Sequence, residues 1–438
     1  MRGLKNWRFL AAAAGFGLVL SLGVAACGGD DDDNGGGGGG NAKLDLTIGD
    51  SIPLTGDLAD FGPPGQKASD LAVSVINKAI QQAGDDDTVQ VVHEDNETSP
   101  QAAVQAARKL VDTDDASCIT GAWASADTIP TAQSVSIPDG VLQISPASTS
   151  DEITGIDDDG LLNRTSPPDS FQGPTLANTV ADALGGAEGK TVNIGARNDA
   201  YGTGLADTFS AAWEDLGGKV GQKVIYDPEQ PSYDSEAGQI TSGNPDATVI
   251  IDFPETFTKV GPALQRSGNW DPSKGWFTDG LASGDVPESV DASVIDGMRG
   301  TAPGSPDKGE ASTAFDDLYT SSDPKDVDRQ TFDTQQFDAT ILCYLAAVAA
   351  GSTDGKDMAD HLVDISAPPG TPYTWEQLPE AIKALQNGDD IDYQGASGAI
   401  DMDDAGDATA GVYDIYTFKG SNLTIDEIGE TPVVNPNQ

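Results

Sequence analysis

Residues 44–76 read LDLTIGDSIPLTGDLADFGPPGQKASDLAVSVI, and this stretch decides the fold class. Its apolar residues Leu46, Ile48 and Ile52 predict a short strand, which ends in a loop at residues 53–56. Apolar residues then recur over residues 68–76 with the i, i+3, i+4, i+7 spacing of one helix face. A strand followed by an amphipathic helix is the first half of a βαβ unit.

The same alternation continues along the chain. Ser99 and Pro100 have the types favoured at the N-cap and first position of a second helix. Strands separated by helices predict parallel sheets, so the expected fold class is α/β with doubly wound parallel sheets. Such sheets bind ligands outside the carboxyl ends of their strands, so the loops there are the candidate site. The further strand candidates are 89–92, 118–119, 141–144, 192–194, 220–225, 248–251 and 276–277.

The N-terminus is typical of an exported protein. Basic residues precede an apolar run at residues 9–26, and small residues stand directly before Cys27. This pattern favours a secretory signal over a membrane span, although a signal anchor with an incidental cysteine is the alternative. The sequence Val-Ala-Ala-Cys resembles a bacterial lipobox, which implies that Cys27 carries a lipid and becomes the new N-terminus. Residues 28–43, rich in Asp and Gly, predict a disordered tether.

Composition limits the classes of partner. The 438 residues suggest two domains, and 37% hydrophobic residues are enough for ordinary cores. With 71 acidic and 23 basic residues, the net charge is −48. A nucleic-acid partner is excluded, because affinity there comes mostly from neutralising phosphates. The acids are spread along the chain, which indicates solubility and tolerance of salt.

Cysteine and histidine are scarce. Cys118 and Cys343 remain besides Cys27, and thiols of exported proteins are often paired. Sequence does not show whether these two meet, so their pairing stays open. The two histidines, His93 and His361, have no metal-ligand spacing. We therefore expect no metal or other cofactor, and a histidine-dependent hydrolase is disfavoured.

Three short motifs are set aside. Residues 401–406 begin like a calcium loop, but the fifth position lacks an acid and Val412 replaces the bidentate Glu. The GxG of residues 201–204 lacks the third glycine of a dinucleotide fingerprint, because Asp207 is there. Residues 395–398 miss the GxSxG pattern by one residue.

The loops at the strand ends, taken together, resemble a known family. They resemble the type I periplasmic-binding proteins of the leucine/isoleucine/valine-binding group, the extracytoplasmic substrate-binding subunits of amino-acid ABC transporters. The matching motifs keep their order from about residue 44 to residue 420. They are IGDSIPLTG (48–56), FG (61–62), TGAWAS (120–125), ISPASTS (144–150), RT (164–165), QG (172–173), YGTG (201–204), QFDA (336–339) and GASG (395–398) with the acidic turn at 403–407.

The resemblance implies two α/β lobes joined by three crossing segments, with ligand held in the cleft between them. Motif positions place lobe one at 44–167 plus 302–394, and lobe two at 168–301 plus 395–438. Closure over a ligand would be a hinge motion, and a ligand shifts the open–closed balance only by contacting both lobes. Such a protein binds its ligand and is not an enzyme.

The resemblance also implies the site. In the family a serine and a threonine, with nearby backbone, bind the carboxylate of an amino acid, and the matching positions are Ser125 and Thr149 with Ala147 and Ser148. An acid in lobe two accepts from the ammonium, and the matching residue is Asp279, where the group often carries Glu. For Ser125 and Thr149 the alternative is an ordinary N-cap, and for Asp279 it is a surface charge.

Two aromatic residues depart from the family pattern. Phe253 lies where the family often has Tyr, and Trp123 lies where a smaller apolar residue is common. Tyr201 and Phe61 are the other expected pocket aromatics, and core packing is the alternative for all four. These departures leave a branched aliphatic ligand in doubt.

The expected function is a lipid-anchored amino-acid-binding protein on the outer face of a bacterial cell membrane. It would hand its ligand to membrane permease subunits driven by a cytoplasmic ATPase. Two alternatives stay within the fold: a ligand such as an amide, urea or an aromatic acid, and a sensor that signals to a membrane partner.

Overall fold

The computed structural model describes residues 43–306, 309–420, 422–427 and 433–434. The predicted signal peptide, Cys27 and all but the last residue of the predicted tether lie outside these ranges. Among the described residues, none of the helices has both the length and the apolar character needed to cross a bilayer.

The first lobe is built on a five-stranded parallel sheet with strand order β2-β1-β3-β4-β5. Each strand of this sheet except the last corresponds to a predicted apolar segment. The last strand, β5, is only three residues long. The elements of the first lobe up to β5 are β1 (Asp45–Ile52), α1 (Gly62–Ala83), β2 (Thr88–Asp95), α2 (Pro100–Asp112), β3 (Cys118–Thr120), α3 (Ser125–Thr131), α4 (Ile137–Asp139), β4 (Leu142–Ser145) and β5 (Leu162–Arg164).

The second lobe begins after β5 and contains a seven-stranded sheet with order β16-β15-β10-β9-β8-β6-β7. Its elements up to β10 are α5 (Asp169–Leu184), β6 (Thr191–Arg197), α6 (Ala200–Asp215), β7 (Lys219–Tyr226), α7 (Asp234–Ile240), β8 (Ala247–Ile251), α8 (Pro254–Arg266), β9 (Gly275–Phe277), α9 (Val286–Ser289), α10 (Ala292–Ile295) and β10 (Arg299–Pro303).

The chain then returns to the first lobe, where a small three-stranded sheet and four helices complete the core. The longest of these helices, α12, is buried at 16 of its 18 residues and packs against α1 and α13. The elements here are α11 (Glu310–Ser321), α12 (Asp333–Ala350), α13 (Gly355–Ser366), β11 (Thr371–Thr374), α14 (Leu378–Gln386), β12 (Ile391–Gly395) and β13 (Gly398–Ala399). Four short or late strands follow: β14 (Ala410–Gly411), β15 (Tyr413–Lys419), β16 (Asn422–Glu427) and β17 (Val433–Val434).

Both large sheets contain the same doubly wound arrangement. The order β7-β6-β8-β9-β10 in the second lobe repeats β2-β1-β3-β4-β5 in the first, with parallel neighbours throughout. This confirms the predicted α/β class with two doubly wound lobes. The second sheet also carries β15 and β16 at its edge, where β15 pairs antiparallel with both β10 and β16.

The chain passes between the lobes three times: after β5, after β10, and over residues 403–412, which we call the third crossing. Ala396, Ile400 and Met402 pack in the core of the first lobe, whereas β15 joins the second sheet. The exact lobe boundaries given above stay a prediction.

A disulfide joins Cys118 on β3 to Cys343 on α12, with a Cα–Cα distance of 6.0 Å and a sequence separation of 225. Both cysteines are fully buried in the core of the first lobe. The sequence left this pairing open because residues so far apart carry no local sign of contact. The bond ties the sheet of the first lobe to the helix that completes it.

The excess of acidic residues predicts that stability depends on salt. We expect the Tm to rise when NaCl is increased from about 0.1 M, where the Debye length is about 10 Å, to about 2 M. Added ions screen the mutual repulsion of a chain with net charge −48. Scanning calorimetry with a neutral osmolyte as control checks this, and a Tm that stays level or falls with NaCl contradicts it.

Candidate functional site

Loops from both sheets meet at a small cavity between the lobes. Seven of the nine residues predicted to bind ligand line it, and Ser148 and Thr149 do not. The predicted residues that line it are Phe61, Trp123, Ser125, Ala147, Tyr201, Phe253 and Asp279. Sequence reasoning missed the other four, which are Leu58, Ala124, Gly280 and Phe332.

Topology brings these residues together. Ser125 follows β3 and Ala147 follows β4, in the first lobe. Tyr201 follows β6, Phe253 follows β8 and Asp279 follows β9, in the second. Each residue therefore lies at a carboxyl strand end beside the point where the strand order reverses, which is where open α/β sheets bind ligands.

The first lobe contributes hydroxyl groups to one side of the cavity. Ser125 Oγ accepts from the amide of Ser150 at 3.2 Å, which leaves its own proton to donate. Thr149 is fully buried, and its Oγ1 has no hydrogen-bond partner among the described residues. Ser148 is different, because its Oγ donates to the carbonyl of Trp123 at 2.8 Å. The roles of Ser125 and Thr149 as carboxylate donors stay a prediction, and the Ser148 hydroxyl supports the loop after β3.

The second lobe contributes a buried carboxylate to the other side. Tyr201 donates its hydroxyl proton to Asp279 Oδ1 at 2.9 Å, and the amide of Gly280 donates to the same hydroxyl at 3.1 Å. A Cβ on Gly280 would lie 2.9 Å from that hydroxyl, so only glycine fits. Burial raises the pKa of Asp279 to about 6, although the hydrogen bond from Tyr201 favours the ionised form.

A second buried carboxylate, Asp169, lies close to Asp279. Neither of its oxygens has a hydrogen-bond partner among the described residues, and the Thr149 hydroxyl approaches it outside good hydrogen-bond geometry. Burial and then the charge of Asp279 raise the pKa of Asp169 well above its usual range. Sequence reasoning missed Asp169, because an acid in the first turn of α5 is typical of any helix start.

Aromatic rings form the apolar wall. Phe253 stacks on Tyr201 with ring centroids 5.2 Å apart. The central carbon of the Arg197 guanidinium lies 3.7 Å from the centroid of the Phe253 ring. Trp123 meets Phe332 edge to face at 6.5 Å. An apolar ligand side chain in the cavity would therefore contact aromatic rings from both lobes.

Hydrogen bonds across the cleft show that the structure is in a closed state. Asp57, in the loop after β1, accepts from Arg197 Nη2 at 3.0 Å and from Thr256 Oγ1 at 2.9 Å, both in the second lobe. Ser283 Oγ donates to Asp60 Oδ2 at 2.9 Å, again from one lobe to the other. These contacts would break when the lobes separate.

We expect Asp57→Asn to weaken ligand binding about fivefold, because losing an ion pair of roughly 1 kcal/mol shifts the balance toward the open state. Arg197 keeps its partner Asp199 within the second lobe, so the fold is retained. Calorimetric affinity and the radius of gyration of the ligand-free protein check this. Asp207→Asn, which loses a pair with Lys223 inside one lobe, is the matched control. Equal affinities in the two variants would contradict a role for Asp57 in closure.

Two further titratable clusters in the described part of the chain have structural partners. Asp85, Asp86 and Asp87 can bring carboxylate oxygens within 4.8 Å of one another, but Asp87 already accepts from the Leu44 amide and the Tyr344 hydroxyl. Burial lowers the pKa of His93, yet hydrogen bonds to Asp50 and Asp70 outweigh it and raise that pKa to about 10. A histidine held as a cation is unsuited to bind a metal.

Two lobes, a hinge of three crossings and a closed cleft define a class of protein, the two-lobed solute-binding proteins. The sequence profile of the periplasmic binding protein family matches residues 45–421, and the chain belongs to this family. The predicted resemblance to the type I periplasmic-binding proteins of the leucine/isoleucine/valine-binding group is confirmed.

Curated relatives point the same way. An amino acid binding protein of Pseudomonas aeruginosa is 28% identical over 226 residues, 52% of this chain and 58% of that protein. Leu/Ile/Val-binding protein homolog 3 of Brucella melitensis is 35% identical over 173 residues, 39% and 44% respectively. The chain thus spans about half the length of these two relatives. A chemotactic signal transduction substrate-binding protein, BasB, of Halobacterium salinarum is 25% identical over 371 residues, 82% and 83%.

Solved structures share the fold. A leucine-binding protein, LivK, of Thermotoga maritima has a TM-score of 0.70 at 21% identity, over 90% of this chain and 99% of that one. LivJ of Streptococcus pneumoniae in complex with isoleucine has a TM-score of 0.69 at 21% identity, covering 89% and 99%. A solute-binding protein of R. palustris in complex with benzoate has a TM-score of 0.69 at 18% identity, covering 90% and 98%.

Proposed function

We propose that this protein binds a small amino acid with an apolar side chain, as the extracytoplasmic solute-binding subunit of an ABC importer. The observation that supports this best is the polarity of the cavity. The Ser125 hydroxyl lines it from the first lobe, the buried carboxylate of Asp279 lines it from the second, and aromatic rings line it from both lobes. A zwitterion with an apolar side chain complements all three.

Each end of the ligand has a chemical partner in this arrangement. The ligand carboxylate takes hydrogen bonds from the hydroxyl of Ser125, which lines the cavity, and from that of Thr149, whose Oγ1 has no hydrogen-bond partner among the described residues. The ammonium lies against Asp279, with Asp169 as a second acceptor. An ammonium stabilises both buried carboxylates, because burial raises the pKa of each and the charge of Asp279 raises that of Asp169 further. Because its ends meet different lobes, the ligand favours the closed state.

An acid without an ammonium is the second candidate within the same fold. The R. palustris relative in complex with benzoate favours it, and so does the aromatic wall of this cavity. That ligand would leave Asp279 and Asp169 facing each other without a cation, which is why we prefer the amino acid.

The proposed setting is the outer face of a cell membrane, with Cys27 carrying a lipid and residues 28–43 acting as a tether. Membrane permease subunits would then receive the ligand. A sensor role is the alternative, and the relative from Halobacterium salinarum, named for chemotactic signal transduction, favours it. Transport assays in cells that lack the chain separate the two roles, because only an importer subunit is needed for uptake.

A thermal-shift screen tests the proposal. The purified protein is first unfolded and refolded to remove carried-over ligand, and is then scanned with the common amino acids, benzoate, urea and simple amides. Binding to the folded state raises the Tm, and at a fixed ligand concentration the shift increases with the logarithm of the affinity. We expect the largest shifts from apolar amino acids. A shift from benzoate or an amide alone would overturn the amino-acid assignment.

The pKa of Asp279 predicts a pH dependence of affinity. Its folded-state pKa is raised to about 6, and the ligand ammonium needs the ionised form. Affinity should therefore be level above that pKa and fall by up to about tenfold per pH unit below it, since each unit corresponds to about 1.36 kcal/mol. Calorimetric titrations from neutral to acidic pH check this. Affinity that is constant down to pH values near the usual Asp pKa would contradict it.

A further inference from the structure

Arg164, the last residue of β5, is fully buried and holds the loop that contains Thr149. Its Nη1 donates to the carbonyl of Ser148 at 3.3 Å and to the carbonyl of Ser150 at 2.9 Å. These two carbonyls belong to the residues on either side of Thr149. The guanidinium therefore fixes the main chain on both sides of the predicted carboxylate donor.

Asp407 holds the guanidinium in turn. Its Oδ1 accepts from Arg164 Nε at 2.6 Å, and its Oδ2 accepts from the Thr154 hydroxyl at 2.6 Å. That hydroxyl accepts from Arg164 Nη2 at 2.9 Å, so the three side chains form a closed ring of hydrogen bonds. The turn also packs tightly on β5, because the carbonyl of Gly406 accepts from the amide of Arg164 at 2.9 Å.

Asp407 connects this ring of hydrogen bonds to the hinge between the lobes. Asp407 lies on the third crossing, in the acidic turn that starts like a calcium loop but lacks the ligands of one. Asp403 closes the turn by accepting from the amides of Ala405 and Asp407 with its Oδ1, at 2.9 and 3.2 Å. Asp403 thus stabilises the turn, and Asp407 accepts the hydrogen bond from Arg164.

We infer that Arg164 and Asp407 are positioning residues for the ligand carboxylate, and that they tie the loop around Thr149 to the third crossing. This inference rests on the proposed function. A binding hydroxyl must be held closely to be effective, and small displacements of such a group weaken binding strongly. A ring anchored on the hinge gives the loop one fixed geometry.

The test compares the unchanged protein with Asp407→Asn and with the milder Thr154→Val, which removes one link of the ring and leaves both charges. The control is Asp234→Asn, which alters an exposed Arg–Asp pair with Arg266 in the second lobe. Hydrogen exchange of the ligand-free proteins is followed at residues 148–150 and, as an internal reference, at residues 198–203 beside Tyr201. We expect exchange at 148–150 to rise by about tenfold or more in both ring variants only, as local opening becomes easier.

Leucine and leucinamide then separate positioning from general stability, because leucinamide keeps the ammonium and side chain but lacks the carboxylate. We expect the ring variants to lose about tenfold in affinity for leucine and less than about threefold for leucinamide. Equal losses for both probes, or unchanged exchange at 148–150, would overturn the inference. If the unchanged protein does not bind leucine, the amino acid with the highest affinity in the screen and its amide replace the two probes. If no amino acid binds, the proposed function is wrong, and the exchange measurement alone decides the role of the ring in holding the loop.

Discussion

Replacing Asp279 with asparagine is expected to weaken amino-acid binding by roughly ten- to a hundredfold. A charge-assisted hydrogen bond contributes about 1.5–3 kcal/mol, and each 1.4 kcal/mol is about one decade of affinity. Asparagine keeps the shape of the side chain and can still accept from Tyr201, whose hydroxyl lies 2.9 Å from Asp279 Oδ1. The change therefore removes the charge that the ammonium needs and little else.

Asp338→Asn is the matched control for this variant. Asp338 is also fully buried, and burial raises its pKa to about 6. It lies outside the cavity and accepts from the Tyr393 and Ser397 hydroxyls. We expect calorimetric affinity to be kept in Asp338→Asn and lost in Asp279→Asn, with both variants compared at the same folded fraction. Unchanged affinity in Asp279→Asn would remove this residue from the site.

Removing the disulfide is expected to lower the free energy of unfolding by about 5 kcal/mol, as the chain-entropy estimate for a very long closed loop gives. The bond closes a loop of 225 residues between β3 and α12, both in the core of the first lobe. The double variant Cys118→Ala, Cys343→Ala tests this without placing hydroxyls in an apolar core. Urea unfolding, followed by intrinsic fluorescence, measures the change.

The second lobe provides the internal control for the disulfide. Its core clusters around Phe257 and Phe277 contain no residue of the first lobe. We expect the loss to fall on the first lobe, so proteolysis after partial unfolding should cut there first. A decrease below about 1 kcal/mol would show that the native contacts around α12 hold this lobe without the bond.

The sequence predicted those parts of the molecule that depend on local patterns. Apolar periodicity predicted the strands and helices, and the strand-end rule predicted that the loops after the strands form the site. The resemblance to the family was needed to single out Ser125, Tyr201 and Asp279 in those loops, and the three residues line one cavity.

The residues that sequence reasoning missed depend on contacts between distant segments. Phe332 precedes α12 and reaches the cavity only because the first lobe is completed by a late part of the chain. Asp169 looks like an ordinary acid in a first helical turn, and only its burial beside Asp279 distinguishes it. The acidic turn around Asp407 begins like a calcium loop in sequence, whereas the partner of Asp407 is Arg164, which lies 243 residues earlier.

The most direct test of the account is a calorimetric comparison of three ligands on the purified protein. They are the amino acid with the highest affinity in the screen, its deaminated acid and its decarboxylated amine. Ser125 on one side of the cavity and Asp279 on the other predict that the intact amino acid binds at least about tenfold more tightly than either analogue, since each analogue loses a charge-assisted hydrogen bond. A deaminated acid that binds as tightly as the amino acid would contradict the account, because the ammonium would then have no partner in Asp279.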